Sequence, residues 1–482
     1  MMPSSVRPSL DPALTGAPAP VPVGAPPAAR QGDTPRRLSV QEALACARET
    51  QQLEIGPGAI ARVPAVFTAQ FPQRTAVVIA DRNTWAIAGA RVHAALGAAG
   101  IAVHESFIFD DPALYAEFGY VERLLAFLQP RDVIPVAVGS GTINDLVKLA
   151  AGRLTRPYLA VATAASMDGY TAFGASITFQ GAKQTFDCPA PQAVVADTEV
   201  LRTAPREMTA AGYADLQAKI TAGADWIVAD ALAVEPIDWR AWDIVQGGLA
   251  VALADPAGAR EGKTEAIAPL TEGLMLGGFA MQWTKSSRPA SGAEHQFSHL
   301  WDMEHHVHGD AAPAHGFKVG IATLAITSLY EYLLRQPIES LDVAACAERW
   351  PEPAAMEEQV RRLFATSDFL ATALTETRAK HPSRAALRSQ LELLQRNWPG
   401  LRRRLQAQLV PFGELKSRLR AVGAPAEPEE IGISRARLRD SFVRALHIRR
   451  RFTVLDFAAR TGLLEPALRS LFGPGGMWAV HA

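Results

Sequence analysis

The chain has 482 residues, of which 48% are hydrophobic and 20% charged, and its formal net charge is -1. This balance excludes a general electrostatic attraction to nucleic acid or anionic lipid, and the length predicts more than one hydrophobic core. The three cysteines, Cys46, Cys188 and Cys346, are far apart, which argues against a disulfide framework and favours a reducing, cytoplasmic setting. No run approaches the ~18 uncharged apolar residues of a membrane helix, so no membrane span is expected.

The N-terminal residues 1–37 are rich in Pro, Ala and Gly and have no apolar segment of the kind found in a signal peptide. Such a composition cannot bury a core, so we predict a disordered tail.

Short apolar runs then alternate with helical patterns. The run "TAVVIAD" (Thr75–Asp81) is predicted to be a strand, and the helix after it to be capped by Thr84 and ended by Gly100. Further strand patterns lie at residues 101–109, 132–139, 158–166 and 192–197. Strands that alternate with helices indicate a parallel, doubly wound sheet.

After residue 205 the strand patterns stop, and long helical patterns fill the remainder. We therefore predict an α/β N-terminal dinucleotide-binding domain with a parallel sheet over residues 38–205. An all-α C-terminal domain is predicted over residues 206–482.

A glycine turn, "AVGSGTIND" (Ala137–Asp145), follows one apolar run and opens a helix. Gly139 and Gly141 let backbone N–H groups approach a ligand, and a helix N-terminus favours a pyrophosphate. The pattern is G-x-G-x-x-N rather than G-x-G-x-x-G, so a plain strand-to-helix turn is an equal alternative. Asp81, at the end of an early strand, is placed to bind ribose hydroxyls, and its alternative role is a helix cap.

Histidines cluster in "SGAEHQFSHLWDMEHHVHGD", which holds five of the chain's eleven. His295 and His299 are four residues apart and share one face of a helix. His315 precedes an apolar helix, and Asp215 lies early in another helix of the same half. Two imidazoles and one carboxylate with an open position form the ligand pattern of a catalytic zinc-like site. Clustered histidines are nevertheless more often surface groups than ligands.

Other polar clusters have a simpler interpretation. For His305, His306 and His308 a solvated loop is favoured. Two arginine runs, at residues 401–405 and 447–452, sit in patterns rich in apolar residues, so we interpret both as solvated helix faces rather than nucleic-acid contacts.

Five motifs occur in order: "GSGTINDLVK", "ATAASMDGYTA", "GYADLQAKITAGADW", "SRPASGAEHQFSHLWDME" and "HGFKVGIAT". Together they resemble the sn-glycerol-1-phosphate dehydrogenases, a group in the superfamily of iron-containing alcohol dehydrogenases, glycerol dehydrogenase and dehydroquinate synthase. The likeness runs from about Val77 to "RRRFTVLDFAARTGLLE". It implies a dehydroquinate synthase-like fold, in which the active site lies between an NAD(P)-binding α/β domain and a helical metal- and substrate-binding domain.

The resemblance also implies roles for particular residues. The family's metal ligands fall on Asp215, His295 and His315, and its substrate contacts on Asp168, Asp215 and His299, of which Asp168 and His299 are the expected catalytic residues. Its cofactor contacts fall on Asp81, Gly139, Gly141, Thr142, Ile143, Asn144, Asp145, Thr163, Ala164, Ala165 and Ser166.

The implied reaction interconverts dihydroxyacetone phosphate and sn-glycerol 1-phosphate with NAD or NADP. One divalent ion (Zn, Ni or Fe) would act as a Lewis acid on the ketone oxygen, with His299 or ordered water supplying the proton. A homo-oligomer is expected, with a dimer favoured. A cation is needed for the substrate phosphate, and the candidates are Lys219, Lys285 and Arg288.

Two positions depart from the family pattern. Lys219 stands where many iron-type relatives have a second histidine, and Ala172 stands where a hydroxyl residue is expected. A cofactor contact at Ala172 is therefore lost or borne by Thr171. Two alternative functions remain at this stage: a glycerol or other polyol dehydrogenase, and a non-catalytic nucleotide-binding protein.

Overall fold

A computed structural model describes residues 34–180, 182–309 and 311–479. The predicted tail, residues 1–37, therefore falls almost wholly outside the described residues. At its end, the Arg36 backbone N–H donates to Asp243 Oδ1 at 2.9 Å. Arg36, within the predicted tail, thus contacts the helix Trp239–Gln246, which contains Asp243.

The described residues contain eight β-strands. They are β1 Gln52–Gly56, β2 Thr75–Asp81, β3 Val103–Phe109, β4 Val133–Gly139, β5 Leu159–Ala162, β6 Ala175–Phe179, β7 Ala182–Phe186 and β8 Ala193–Asp197. Six of them form one sheet in the order β1-β8-β5-β4-β2-β3, and every neighbouring pair is parallel. The other two, β6 and β7, form an antiparallel hairpin.

Helices cover both faces of the six-stranded sheet. Along β2, Val77 and Ile79 belong to one buried hydrophobic cluster, whereas Val78 and Ala80 belong to another. Successive side chains of a strand point to opposite faces, so both faces of the sheet are covered. This explains why β2 and β4 are nearly continuous apolar runs in the sequence.

The first six helices lie among the strands, before β5. They are α1 Val40–Leu44, α2 Val63–Gln70, α3 Arg82–Thr84, α4 Ala90–Ala98, α5 Phe118–Leu128 and α6 Gly141–Arg153. A π-helical turn, Trp85–Gly89, joins α3 to α4.

The described residues after β8 form helices and connecting segments with no further strand. The helices are α7 Thr198–Leu201, α8 Arg206–Gln217, α9 Lys219–Ala231, α10 Trp239–Gln246, α11 Leu249–Ala252, α12 Pro256–Glu261, α13 Thr264–Thr284, α14 Ala293–Met303, α15 His315–Leu334, α16 Val343–Arg349, α17 Pro353–Leu363, α18 Leu370–Lys380, α19 Arg384–Gln408, α20 Phe412–Val422, α21 Arg435–Ala445, α22 Val454–Arg460 and α23 Leu464–Phe472. The predicted fold class, a parallel α/β half followed by a helical half, is confirmed.

Helix α15 is long and apolar enough to cross a membrane by length and composition, and no other described helix is. However, 78% of its most apolar window is buried inside the protein. It packs in the largest hydrophobic cluster, which also contains Leu38, Ala43 and Cys46 from the segment before β1. The predicted domain boundary at residue 205 coincides with Pro205, which precedes α8, and it stays a prediction.

Two local predictions were wrong. Asp81, not Thr84, is the N-cap of α3: its side chain accepts from the Thr84 backbone N–H at 2.8 Å, while Thr84 Oγ1 accepts from the Asp81 N–H. The arginine run at residues 447–452 lies in the connection between α21 and α22, not on a helix face. In contrast, Gly100 does follow the end of α4, with a φ of 77° that suits glycine.

Two glycines let the elements that carry the candidate site approach closely. A Cβ at Gly212 of α8 would lie 2.0 Å from the Ala165 carbonyl oxygen, in the segment after β5. A Cβ at Gly316, on the first turn of α15, would lie 1.9 Å from the Ala211 carbonyl oxygen of α8. Any larger residue would push these backbones apart.

Candidate active site

The order of the sheet locates a binding crevice. The chain passes from β2 outward to β3, whereas from β4 it proceeds in the opposite direction to β5. In open α/β sheets, ligands bind outside the carboxyl ends of strands where the order reverses in this way. Asp81 ends β2 and Gly139 ends β4, so two predicted cofactor contacts lie at this point.

The turn from β4 into α6 suits a phosphate. A Cβ at Gly139 would lie 2.4 Å from the Ile143 Cβ, so the turn requires glycine. Helix α6 begins at Gly141, and no side chain among the described residues caps its N-terminus. The first N–H groups of any helix lack intrahelical partners. Those of α6 follow the carboxyl end of β4 and have no side-chain cap, so they can bind a phosphate.

The remaining predicted cofactor contacts differ in what they can offer. Ile143, Ala164 and Ala165 are buried, so only their backbones could contact a cofactor. Asn144 Oδ1 accepts from the Tyr158 hydroxyl at 3.1 Å, and Asp145 Oδ2 accepts from the Ser176 N–H at 3.2 Å. Both side chains thus support the fold around the turn. The predicted contacts with less buried side chains are Thr142 and Ser166, whereas Thr163 is buried.

Asp81 is engaged as a helix cap through one oxygen. Its Oδ1 accepts from Thr84, and Oδ2 accepts no hydrogen bond from the residues that the structure describes. A capping role and a ribose contact are therefore compatible, since a carboxylate has lone pairs on both oxygens.

Three helices bring the predicted metal ligands together. Asp215 lies on α8, His295 on α14, and His315 is the first residue of α15. One donor atom from each lies within 4.8 Å of the other two. The His295 Nε2 is 3.6 Å from the Asp215 Oδ1, and the His295 and His315 ring centroids are 5.4 Å apart.

A buried carboxylate that the sequence analysis missed orients His295. Glu294 is fully buried and lies 2.8 Å from the His295 Nδ1. The same side chain accepts from Thr221 Oγ1 at 2.8 Å and from the Gly292 N–H at 2.6 Å. Because a carboxylate can only accept, Nδ1 carries the hydrogen and Nε2 faces Asp215, as in carboxylate–histidine–metal arrangements.

A lysine bridges the two acidic residues of the site. The Lys219 Nζ donates to Asp168 Oδ2 at 2.7 Å and to Asp215 Oδ1 at 2.8 Å. The Asp168 backbone N–H donates to Asp215 Oδ2 at 3.1 Å. Lys219 and Asp215 are fully buried, and the side chain of Asp168 is 15% exposed. These contacts hold the predicted substrate residue Asp168 against the predicted ligand Asp215.

The loop that carries Asp168 is held by another residue that the sequence analysis missed. The buried Lys148 Nζ donates to the carbonyl oxygens of Gly169, Ala172 and Gly174 at 2.7, 2.8 and 3.2 Å. Lys148 lies in "GSGTINDLVK", but nothing in that motif indicates which carbonyls it would meet.

The charges of the site act on each other. Burial raises the pKa of Asp215, but Lys219 and the two histidines outweigh it and hold that pKa well below its usual range. Burial and the nearby Asp215 carboxylate raise the pKa of Asp168 despite Lys219. Burial lowers the pKa of His295, but hydrogen bonds with Asp215 and Glu294 raise it overall. The raised pKa values of Asp168 and His295 indicate that these two groups favour an added positive charge, whereas the lowered pKa keeps Asp215 ionised, as a metal ligand must be.

This donor set fits a divalent transition metal. One carboxylate and two imidazoles match the ligands that Zn, Ni and Fe take in proteins, whereas Mg²⁺ prefers oxygen donors. The fully buried Asp215 carboxylate and the nearly buried Asp168 carboxylate share one buried ammonium, that of Lys219. A bound cation would compensate the remaining negative charge.

The other histidines of the segment 291–310 divide into three groups. His299 is half-buried one turn after His295, with its ring centroid 6.4 Å from those of His295 and His315. His305 and His308 are exposed, as predicted. The prediction for His306 was wrong, because it is buried: Nε2 lies 2.7 Å from the Ile431 carbonyl oxygen and Nδ1 lies 2.8 Å from Arg437 Nη1.

The three candidate phosphate cations all have other partners. Arg288 is 1% exposed and donates to the backbone oxygens of Phe452 and Asp225 at 2.9 Å each. Lys285 is ion-paired with Glu49. Only Lys219 touches the ligand cluster, and two of its three ammonium hydrogens point at carboxylates.

Thr171 does not replace the hydroxyl expected at position 172. Its Oγ1 donates to the Met275 carbonyl oxygen at 2.7 Å, and the residue is fully buried. Thr171 thus ties the loop to α13.

Known proteins resemble this chain in sequence over much of its length. The family model for iron-containing alcohol dehydrogenase matches residues 54–205. A glycerol-1-phosphate dehydrogenase [NAD(P)+] of Halalkalibacterium halodurans is 36% identical over 61% of this chain and 73% of its own length. A second enzyme of that name, from Geobacillus stearothermophilus, is 29% identical over 84% of this chain and 92% of its own.

Solved structures show the same fold. The crystal structure of glycerol dehydrogenase from Schizosaccharomyces pombe matches with a TM-score of 0.55 at 16% identity, covering 87% of this chain and 90% of the other. At that identity the likeness concerns the fold alone. Taken with the sequence matches, the chain belongs to the glycerol-1-phosphate dehydrogenase family, within the iron-containing alcohol dehydrogenases.

Proposed function

We propose that the protein interconverts dihydroxyacetone phosphate and sn-glycerol 1-phosphate with NAD(H) or NADP(H). The observation that carries this proposal is that one donor atom each from Asp215, His295 and His315 lies within 4.8 Å of the other two. The same chain has a glycine turn at the end of β4 that suits a phosphate group. A binding-only protein would not need both features. The substrate is inferred from the two relatives, both of which are glycerol-1-phosphate dehydrogenases by name.

The proposed ligands are Asp215, His295 and His315, and the proposed cofactor contacts surround Asp81 and the α6 N-terminus. When bound, the metal would polarise the substrate ketone, and the reduced nicotinamide would supply the hydride. Glu294 holds the His295 ring, and Lys219 holds Asp168 beside Asp215. Glu294 and Lys219 thus fix the orientations of His295 and Asp168 before any ligand binds.

His299 is the proposed proton donor. It stands one helical turn from His295 on the same face of α14 and remains half-buried. Reduction of the ketone consumes one hydride and one proton, and an imidazolium nitrogen titrates in the range where such a transfer is efficient. Asp168, which Lys219 holds, is the proposed acceptor of a hydrogen bond from a substrate hydroxyl.

The cofactor preference follows from Asp81. A carboxylate beside the adenosine ribose repels the 2′-phosphate of NADP, so NAD(H) should be favoured, and the neighbouring Arg82 should make this a bias rather than an exclusion. Comparing kcat/KM for NADH and NADPH tests the assignment.

Three finer properties belong to the same proposal. The metal is Zn, Ni or Fe, because the donor set accommodates each. The location is cytoplasmic and reducing, which suits three cysteines that are all buried and free. The proposed assembly is a homo-oligomer, with a dimer favoured.

One assay separates this function from a polyol dehydrogenase. Charge-assisted hydrogen bonds to a phosphate contribute ~1.5–3 kcal/mol each, so two of them favour dihydroxyacetone phosphate over dihydroxyacetone by at least ~100-fold in kcat/KM. Metal-restored enzyme should show this ratio, and His295→Ala should lose both metal and turnover. Equal reduction of the free ketone would replace the proposal with a glycerol or other polyol dehydrogenase.

A further inference from the structure

A second polar cavity lies away from the metal ligands. It has a volume of about 570 Å³ and is lined by Glu235, Ser286, Glu376 and the arginines 449–451. None of the residues that line it is a proposed metal ligand, substrate contact or cofactor contact. The cavity is large enough for a small metabolite.

The arginines of this cavity belong to the run "HIRRRF", which has no role in the proposed reaction. They lie on the connection between α21 and α22, and all three line the cavity. Arg449 and Arg451 are half-buried, and Arg450 is exposed.

The two carboxylates of the cavity are already paired. Glu376 accepts from Arg450 at both carboxylate oxygens, at 2.7 and 3.1 Å. Glu235 Oε2 lies 3.3 Å from the Nε of the buried Arg288, which does not itself line the cavity. Neither carboxylate forms an ion pair with Arg449 or Arg451.

The guanidinium groups of Arg449 and Arg451 thus form no ion pair with a described carboxylate, although Glu376 acts electrostatically on Arg449, and Glu235 and Glu294 act on Arg451. Arg451 donates to neutral oxygens only, the Ser291 carbonyl at 2.6 Å and Ser287 Oγ at 2.8 Å. Arg449 makes no hydrogen bond to any described residue. Burial lowers the pKa of both side chains, and for Arg451 repulsion by Arg288 and Arg449 contributes, bringing its pKa to about 9. Charges held in this way are costly unless an anion joins them.

We propose that this cavity is a binding site for a small anion that carries a phosphate group, separate from the catalytic cleft. A guanidinium presents a planar fork of N–H donors that matches a phosphate oxygen pair. Arg449 makes no hydrogen bond to a described residue, whereas Nη1 and Nη2 of Arg451 each donate one hydrogen to a serine and each carry a second. The ligand replaces the missing counter-charge. This site does not depend on the proposed reaction, and its test does not use turnover.

The test measures each arginine separately in the full-length protein loaded with metal and NAD⁺. Phenylglyoxal modifies accessible guanidiniums, and peptide mass spectrometry gives the rate at each position. Near saturation, inorganic phosphate should slow the modification of Arg449 and Arg451 at least about tenfold relative to chloride at equal ionic strength. Arg403, exposed on α19, is the internal control and should react at the same rate in both buffers. Equal rates at Arg449 with and without phosphate overturn the proposal.

A pair of variants checks the same conclusion. In Arg449→Gln, phosphate should no longer protect Arg451, because one of the two guanidinium groups is lost. Arg403→Gln carries the same charge change outside the cavity and should keep the protection. Protection of Arg451 that persists unchanged in a folded Arg449→Gln protein contradicts the site. If that variant does not fold, the protection measured on the unmutated protein decides.

Discussion

At the scale of single residues, the metal site depends on a carboxylate that is not itself a proposed ligand. Glu294 is fully buried and sets the orientation of His295 through Nδ1. Partners of this kind typically change metal affinity by about 10–100-fold when they are removed. In the sequence, the only indication of this role is that Glu294 directly precedes the candidate ligand His295.

Glu294→Gln keeps the size of the side chain but removes its charge, so the His295 Nε2 becomes a weaker metal ligand. We expect the metal affinity to fall about 10–100-fold, as measured by competition with a chromogenic chelator. Glu358→Gln, the same change on the exposed face of α17, should leave affinity unaltered. Equal affinities for the two variants would show that Glu294 does not support the site.

His306 is a structural residue, and its neighbour provides a control. Its two ring nitrogens contact the Ile431 carbonyl and Arg437, whereas the exposed His305 only faces Asp368 at 3.7 Å. His306→Ala should lower the free energy of unfolding by about 1–3 kcal/mol, since buried partners lose their hydrogen bonds. His305→Ala should change it by less than about 0.5 kcal/mol. Urea unfolding measures both, and comparable losses would contradict the assignment.

At the scale of elements, how much could be predicted depended on burial. The inner strands β2, β4 and β5 were recognisable because strands covered on both faces are continuous apolar runs. The edge strand β1 was missed because all five of its residues are only half-buried, and the β6–β7 hairpin because its sequence mixes polar and apolar residues. The run at 447–452 was misassigned because the segments on both sides of it are helical and rich in apolar residues, so the helical pattern was extended across the connection.

The candidate site shows the same division. Asp215, His295 and His315 could be proposed from residue type, spacing and resemblance. Lys148 and Glu294 could not, because their roles depend on which backbone and side-chain atoms the fold brings near them. A contact between residues distant in sequence leaves no periodic pattern in either segment.

The close approach of α15 to α8 positions His315 opposite Asp215. Gly316→Ala places a methyl group 1.9 Å from the Ala211 carbonyl oxygen, so α15 must move away. We expect a loss of about 1–3 kcal/mol in unfolding free energy together with lower metal occupancy. Gly400→Ala, in α19 with nothing within 4 Å of the new methyl group, should instead stabilise the protein by about 0.5–1 kcal/mol. Unchanged metal content in Gly316→Ala would show that this approach does not position the ligand.

At the scale of the whole molecule, the two halves of the chain carry different parts of the proposed site. The sheet provides the turn before α6, and the helical half provides all three proposed ligands. Loop residues 163–168 connect them, because Asp168 hydrogen-bonds to Asp215 through its backbone. The second, arginine-lined cavity lies within the helical half, and Arg451 bonds to Ser291, just before the helix that carries His295.

Since the proposed ligands come from three helices that are distant in sequence, a bound metal should stabilise the folded chain as a whole. A ligand that binds only the native state adds ~2.7 kcal/mol when present at 100 times its Kd. Removing the metal with a chelator should therefore lower Tm by about 3–5 °C, and restoring it should reverse the change. His295→Ala lacks one ligand, so its Tm should respond far less to the chelator than that of the unmutated protein. Calorimetry of both proteins, with and without chelator, measures the difference. Equal chelator responses would mean that the stabilising metal is bound elsewhere, and the assignment of Asp215, His295 and His315 would then be wrong.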